Sequence, residues 1–167
     1  PETWFFNVPG LKIIAPSTPY DAKGLLNSSI EDPNPILYFE HKNIYRSIKG
    51  FVPDDDYNIE IGKADIKKTG KDVSVITYGM GVHWILDIAN KLEKENINIE
   101  IIDLRSLIPW DKELVEESIA KTNRVLILHE ANLTGGIGAE ISAYISENCF
   151  QLLDAPRSVI LNGIYPN

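Results

Sequence analysis

Apolar and polar residues alternate along most of the chain in the way that is typical of an α/β protein. From residue 72 onward, four short apolar runs predict buried strands: residues 73–77, 99–104, 125–129 and 158–161. The segments between these runs carry apolar residues at helical spacing, as in Val82, Ile85 and Ala89. Strands that alternate with helices predict a mostly parallel sheet covered by helices.

The first forty-five residues predict a smaller unit of the same kind. Residues 11–15 and 36–39 are apolar runs bounded by proline or glycine, and they indicate two strands. Between them, Ser17 or Thr18 can cap a helix with Pro19 in its first turn. Its apolar face is predicted to contain Ala22, Leu25, Leu26 and Ile30. Such a strand, helix and strand indicate a right-handed βαβ unit.

Residues 46–71 interrupt this pattern. They contain the acidic run 54–56, several lysines and three glycines, with weak apolar periodicity. We therefore expect an exposed linker there, which would divide the chain into residues 1–45 and residues 72–167. Because the chain lacks an initiator Met and ends on turn-forming residues straight after an apolar run, we also expect it to be a fragment.

Charge and cysteine content narrow the classes of partner. The 167 residues carry 16 Lys and Arg against 24 Asp and Glu, a formal charge of −8. This charge argues against nucleic acid and membrane surfaces as partners and favours a basic protein. The single cysteine, Cys149, cannot form an internal disulfide, and no Cys/His spacing typical of zinc occurs, so a reducing compartment fits best.

Few residues suggest chemistry by themselves. Glycine-containing turns at residues 78–81 and 134–138 follow strands, where amides could hold an anion, but neither has a phosphate-binding spacing, so structural turns are favoured. His41, His83 and His129 are too scattered to predict a metal site. His129 and Glu130 form the best acid–base pair by position, yet no Ser or Cys nucleophile motif accompanies them.

Several strings of residues, taken in order, resemble the beta subunit of thiamine-diphosphate-dependent 2-oxo-acid dehydrogenases. They are residues 8–12 (VPGLK), 16–26 (PSTPYDAKGLL), 31–35 (EDPNP), 102–111 (IDLRSLIPWD) and 152–156 (LLDAP). Residues 108–111, 129–131 and 133–136 are most similar to the branched-chain enzyme, although pyruvate and acetoin relatives share most of the pattern. The resemblance spans nearly the whole chain.

This resemblance implies a fold and an activity. Residues 1–45 would be the end of a pyrimidine-binding domain, and residues 72–167 a three-layer, transketolase-type C-terminal domain. In that family the thiazolium ylide of the cofactor attacks the 2-oxo group and expels carbon dioxide, and the acyl unit passes to a lipoyl acyltransferase. The residues that hold thiamine diphosphate and magnesium, and the catalytic histidine, would lie outside this chain. We therefore expect no catalytic or cofactor-binding residue here, and a role in assembly with an alpha subunit and a second beta subunit as a heterotetramer.

The resemblance further implies a potassium site in the loop after the first helix. Backbone carbonyls of Ser29, Asp32 and Asn34 would ligate the ion, because the carbonyls at the end of a helix need a cation or donors. Water is the alternative occupant of the same place.

Three more positions are implied to bind partners. Asp154 would pair with a basic residue of the acyltransferase's subunit-binding domain, unless it only ends the last helix. His129 and Glu130 would lie at a subunit interface.

The compartment would be the bacterial cytoplasm or the mitochondrial matrix. Another transketolase-superfamily enzyme, such as transketolase or deoxyxylulose-phosphate synthase, and a binding-only assembly module are the alternatives.

Overall fold

The computed structural model describes residues 1–154 and 158–161. Its strands are β1 (Lys12–Ile14), β2 (Ile36–Tyr38), β3 (Asp65–Lys68), β4 (Val73–Thr77), β5 (Ile99–Asp103), β6 (Ser106–Ile108), β7 (Val125–His129) and β8 (Ser158–Leu161). Its α-helices are α1 (Pro19–Glu31), α2 (Ile44–Ser47), α3 (Met80–Lys94), α4 (Lys112–Thr122) and α5 (Ile137–Asn148). Short 3-10 helices lie at Glu2–Phe5 and Phe150–Leu152. In this part of the chain, none of the helices is long and apolar enough to cross a membrane.

The larger sheet confirms the predicted α/β architecture. Its strand order is β3-β5-β4-β7-β8, with β5, β4, β7 and β8 mutually parallel and β3 antiparallel at the edge. Val75 of β4 packs with α3 on one face, whereas Ile76 packs with α4 and α5 on the other. This alternation follows from the two-residue period of a strand, and it produces three layers.

The smaller sheet has the order β2-β1-β6. Strands β1 and β2 are parallel and are joined through α1, as predicted for a βαβ unit. Strand β6 was not predicted; it comes from the second region of the chain and pairs antiparallel with β1. One apolar core includes Ile13 of β1 together with Ile76 and Ile127 of the larger sheet, so the two sheets are packed together.

Helix α1 begins where the sequence predicts but buries a different face. The Thr18 side chain accepts a hydrogen bond from the Asp21 amide at 3.1 Å, as expected of an N-cap. Asp21, Gly24 and Leu25 are the buried residues. Leu26 and Ile30, predicted to face inward, are 46% and 75% exposed.

The glycine on α1 explains this difference. A Cβ at Gly24 would lie 2.7 Å from side-chain atoms of both Tyr57 and Ile59, so only glycine allows these two side chains to approach the helix. Ile59 then packs with Leu25 and Ile14 in a separate small core. The helix therefore turns Leu25 and Gly24 inward, and the predicted stripe is only partly correct.

Residues 46–71 contain more structure than an exposed linker. Strand β3 lies within this range and pairs with β5, with Asp65 opposite Asp103. Ile59 is also buried. The apolar periodicity missed β3 because all four of its residues are only half-buried at a sheet edge. The division of the chain into two domains stays a prediction.

Candidate functional site

The larger sheet has a crevice where its connections change direction. From β4 the chain passes through α3 to β5 on one side, and from β5 it returns through α4 to β7 on the other side of β4. In open α/β sheets the carboxyl ends of two such neighbouring strands border the ligand-binding crevice. Here Tyr78 follows β4 and Glu130 follows β7.

A cleft of about 310 Å³ occupies this position. The smaller sheet supplies the opposite wall, because Pro16 follows β1 and His41 follows β2. The lining residues are Pro1, Glu2, Ala15, Pro16, Phe39, Glu40, His41, Tyr78, Gly79, Glu130 and Ala131. The carboxyl ends of both sheets therefore meet in one cleft.

The polar groups of the cleft are paired with one another. His41 Nε2 lies 2.7 Å from Glu130 Oε2, which joins the two walls. The Tyr78 hydroxyl donates to Glu2 Oε1 at 2.6 Å. Burial raises the pKa of Tyr78, and the negative charge of Glu2 adds to this effect. Burial is the largest single influence on Glu2 and opposes its ionisation, but the hydrogen bond from Tyr78, a backbone hydrogen bond and the N-terminal ammonium together leave the pKa of Glu2 lowered.

His129 lies beneath the glycine turn that precedes α5. Its side chain is almost fully buried, and neither ring nitrogen has a hydrogen-bond partner among the described residues. Burial lowers the pKa of His129, and the nearby Glu2 charge opposes this shift only in part. The imidazole is therefore neutral at pH 7. A Cβ at Gly136 would lie 3.1 Å from His129 Cε1, so the glycine leaves space for the ring.

This arrangement can accept hydrogen bonds or a positive charge, but it contains no nucleophile beside a base. Glu2, Glu40 and Glu130 give the cleft carboxylates that would repel a diphosphate group. Within residues 1–154, no group of three or more His, Cys, Asp or Glu side chains is arranged to hold a metal. That the parent enzyme holds this cofactor and its magnesium elsewhere stays a prediction.

The two glycine turns have structural reasons. A Cβ at Gly81 would overlap Thr77 Oγ1, and one at Gly136 would overlap the Asn132 carbonyl oxygen. Gly79, with φ of +54°, has a backbone conformation that favours glycine. These contacts support the interpretation of both segments as tight turns.

The loop predicted to bind potassium is held by side chains. Asp32 accepts a hydrogen bond from Lys12 Nζ, and its Oδ1 accepts from the Asn34 amide at 2.9 Å. These hydrogen bonds lower the pKa of Asp32 to about 2. Ser29 Oγ donates to the Leu25 carbonyl within the last turns of α1. The three carbonyls as potassium ligands stay a prediction.

The predicted partner-binding residues differ in accessibility. Asp154 is 61% exposed at its side chain, and Arg124 Nη2 lies 3.8 Å from its Oδ2. The Asp154 amide donates to the Asn123 carbonyl at 2.9 Å, which also fits the alternative that it ends the helical segment. Glu130 is partly exposed beside His41, whereas His129 is covered by this chain. Their place at a subunit interface stays a prediction.

Sequence reasoning missed a buried charge cluster between the two sheets. It contains Asp21 of α1, Lys67 of β3, Asp103 of β5 and Arg105, the residue that leads into β6. A signal was present in β5, where the carboxylates of Glu100 and Asp103 interrupt an otherwise apolar and fully buried strand. Buried carboxylates require partners, but the sequence does not identify them.

Curated relatives match most of this chain. It is 53% identical over 155 residues to the 2-oxoisovalerate dehydrogenase subunit beta of Bacillus subtilis (strain 168), covering 93% of this chain and 47% of that protein. The mitochondrial 2-oxoisovalerate dehydrogenase subunit beta 2 of Arabidopsis thaliana is 49% identical over 158 residues, covering 95% of this chain and 44% of that protein. The pyruvate dehydrogenase E1 component subunit beta of Bacillus subtilis (strain 168) is 46% identical over 148 residues, covering 89% of this chain and 46% of that protein. The chain spans about half the length of these relatives.

Solved structures agree with the fold. A split gene transketolase, described as an inactive beta4 tetramer, has a TM-score of 0.78 and 25% identity, covering 98% of this chain and 51% of that chain. A transketolase mutant from Pichia stipitis has a TM-score of 0.61 at 13% identity, covering 99% of this chain and 22% of that chain. At that identity the similarity shows the fold alone. The profile described as "Transketolase, C-terminal domain" matches residues 62–162, which is more than half of the chain. With that match, the three-layer sheet and the resemblance to dehydrogenase beta subunits, this chain belongs to the transketolase C-terminal domain family.

Proposed function

We propose that this chain is the C-terminal region of the beta subunit of a thiamine-diphosphate-dependent 2-oxo-acid dehydrogenase that acts on branched-chain 2-oxo acids. One observation carries the substrate class. Two relatives from the same organism match with different strength: the 2-oxoisovalerate subunit at 53% identity and the pyruvate subunit at 46%. Because both come from one organism, evolutionary distance between species does not explain the difference.

The role proposed for this region is assembly and partner docking. Its described cleft lacks a nucleophile beside a base and carries carboxylates that disfavour a diphosphate. The thiamine cofactor, held with magnesium by the rest of the parent enzyme and its alpha subunit, would supply the decarboxylation. The region proposed here would contribute to a heterotetramer and to contact with the lipoyl acyltransferase, in the bacterial cytoplasm or the mitochondrial matrix.

The substrate class can be tested in the complete parent enzyme. We expect the full beta polypeptide, expressed with its alpha subunit, to show a higher kcat/KM for 2-oxoisovalerate than for pyruvate. A preference for pyruvate would contradict the branched-chain assignment and leave the wider dehydrogenase assignment intact. Absence of activity on either acid, with transketolase activity in its place, would contradict both.

The absence of catalytic machinery in this region can be tested with the 167-residue chain. We expect calorimetric titration with thiamine diphosphate and magnesium to show no tight binding, because the cleft repels a diphosphate. Binding in the low micromolar range, about −7 to −8 kcal/mol, would contradict this proposal.

The docking proposal for Asp154 is supported by its exposure and by the charge of the chain. A net charge of −8 attracts a basic partner, and a side chain that is 61% exposed can reach one. Arg124 at 3.8 Å is a weak competitor, because exposed ion pairs contribute only about 0–1 kcal/mol. Asp154 can therefore exchange Arg124 for a basic residue of the acyltransferase at small cost.

The potassium proposal is supported by the position of the loop at the end of α1. The ion would bind backbone carbonyls of Ser29, Asp32 and Asn34, leaving the Asp32 carboxylate with Lys12. Thermal melts in potassium chloride and in lithium chloride test it, because an ion that binds only the folded chain raises its melting midpoint. Equal midpoints in the two salts would contradict potassium binding to this chain.

The alternative of a transketolase is supported by the split-gene structure, which matches 98% of this chain. Its 25% identity is about half of that found with the dehydrogenase subunits. The dehydrogenase is therefore the favoured proposal.

A further inference from the structure

Residues 42–56 carry charges of both signs that are unpaired within the described part of the chain. Three exposed cations come first and three exposed carboxylates follow: Lys42, Arg46, Lys49, Asp54, Asp55 and Asp56. Among the described residues, none of these six charged side-chain groups forms a hydrogen bond or an ion pair. We call residues 42–56 the mixed-charge patch.

Two aromatic side chains of the patch are exposed among these charges. Tyr45 is 60% exposed and Phe51 is 83% exposed. The Tyr45 hydroxyl donates to Glu40 Oε2 at 2.6 Å, which holds the ring in place. Aromatic rings that are rimmed by polar groups mark protein–protein contacts, because a partner that covers them removes a large apolar area from water.

The acidic part of the patch is fastened to helix α1. Lys23 Nζ donates to the three successive carbonyls of residues 53–55, at 2.7, 3.1 and 2.9 Å. Just beyond the patch, the Tyr57 ring stacks on Tyr20 with 4.6 Å between the ring centroids. These contacts hold the backbone of the acidic residues in one conformation before a partner arrives, so little conformational entropy is lost on binding.

The balance of charge in the patch differs from that of the whole chain. Residues 42–49 carry three positive charges and residues 54–56 carry three negative charges, so the patch is neutral in a chain of net charge −8. Two copies of such a chain repel one another overall. That repulsion is weakest where neutral surfaces meet, and the mixed-charge patch is such a surface.

The order of the charges selects a second copy of this chain as the partner. An acidic protein, a nucleic acid or an anionic membrane would attract residues 42–49 but would be repelled by residues 54–56. A basic protein would meet the opposite difficulty. A second copy that is rotated about a two-fold axis satisfies both parts, because the positive part of each copy then faces the negative part of the other.

We propose that the mixed-charge patch is the surface through which two copies of this chain pair about a two-fold axis. Residues 42–49 of each copy face residues 54–56 of the other, and the rings of Tyr45 and Phe51 are buried between them. In the proposed heterotetramer this contact joins the two beta subunits. That identification rests on the proposed function, whereas the pairing itself rests on the residues of this chain.

The size of the patch sets the expected strength. Eleven of its fifteen residues are exposed, whereas a stable interface has about 20–30 residues on each side. The pairing is therefore weak, with a dissociation constant of about 10–100 μM for the chain alone. Sedimentation velocity over about 5–500 μM chain covers this range.

The test uses the 167-residue chain with one sign of charge reversed. One variant combines Lys42→Glu, Arg46→Glu and Lys49→Glu, which makes the patch wholly acidic. The other combines Asp54→Lys, Asp55→Lys and Asp56→Lys, which makes it wholly basic. We expect the wild type to form dimers, each variant alone to stay monomeric, and an equimolar mixture of the two variants to form dimers again.

Two controls separate this contact from general charge and general stickiness. Lys91→Glu with Lys94→Glu reverses two exposed cations of α3, outside the patch, and should leave the dimer intact. Phe51→Ser should raise the dissociation constant at least tenfold, whereas Phe150→Ser, at a ring that is 71% exposed elsewhere, should not change it. Because Phe51 is exposed, its variant still decides the question if a triple variant fails to fold.

Several results would overturn the pairing. They are a wild type that stays monomeric over the whole concentration range, a mixture of the reversed variants that stays monomeric, and equal effects of Phe51→Ser and Phe150→Ser. A monomeric wild type that binds polyglutamate through residues 42–49 would assign the patch to an acidic protein instead. None of these measurements involves substrate or cofactor, so their failure leaves the dehydrogenase proposal untouched.

Discussion

Lys67 supplies a positive charge to the buried charge cluster between the two sheets, so Lys67→Met should strongly destabilise the chain. The lysine side chain is only 14% exposed, and its Nζ lies 2.7 Å from Asp21 and 3.6 Å from Asp103. Methionine keeps the length of the side chain but removes the charge. Asp21 then keeps only Arg105 as a cation, and Asp103 loses the one cation that approaches its carboxylate within 4 Å among the described residues.

The size of the effect follows from burial. Removing one partner from a buried charge pair costs about 3–5 kcal/mol, a large part of the about 5–15 kcal/mol that stabilises an ordinary domain. At about 2–4 °C per kcal/mol for a chain of this size, the melting midpoint should fall by about 6–20 °C. Circular dichroism during heating and during urea unfolding measures both quantities.

Lys68→Met is the matched control for this prediction. Lys68 is the next residue on β3, and its Nζ lies 3.2 Å from Glu93, whose side chain is about half exposed. Such a pair contributes about 0–1 kcal/mol, so the control should melt close to the wild type. If Lys67→Met cost no more than Lys68→Met, burial would not strengthen the charge pairs of the buried cluster, and the reasoning would be refuted.

Three further substitutions test separate parts of the structure. Gly81→Ala should cost about 1–3 kcal/mol in urea unfolding, because the new Cβ overlaps Thr77 Oγ1; a Thr77→Ala background should recover part of the loss. Asp32→Asn should lower the melting midpoint at pH 7. The difference in melting midpoint between the variant and the wild type should disappear as the pH falls from about 4 toward 2, because the Lys12 and Asn34 contacts lower the pKa of Asp32 from 3.8 to about 2. A difference in midpoint that stays constant over this pH range would contradict the role of these contacts. Asp154→Ala, in the complete alpha–beta enzyme, should weaken binding of the acyltransferase's subunit-binding domain at low salt more than at high salt, and an unchanged Kd would leave Asp154 as a helix-end residue.

The candidate site was predictable only in outline. Tyr78 and Glu130 could be placed at the ends of strands from apolar patterning, and open α/β sheets bind ligands at such ends. The hydrogen bond between His41 and Glu130 spans 89 positions in the sequence, and no local pattern indicates it. His129 looked like half of an acid–base pair, yet the structure buries it without a hydrogen-bond partner among the described residues.

The sequence by itself determined the order and type of most elements. Strands β4 and β7 begin and end where the apolar runs predict, because a central strand is covered on both faces and most of its residues are therefore apolar. The start of α1 also follows from local sequence, since the Thr18 side chain accepts a hydrogen bond from the amide of Asp21, only three residues ahead. These features depend on neighbours within one turn or one strand, which a single sequence contains.

Only the tertiary structure decided which faces and charges are buried. Helix α1 exposes Ile30 and buries Asp21, against the simple rule of hydrophobicity, because Asp21 meets Arg105 from 84 residues away. Ser17 and Asp103 are 86 residues apart. Whether a carboxylate is buried depends on the cations that other elements bring to it, and their positions are fixed by sheet topology and not by local sequence.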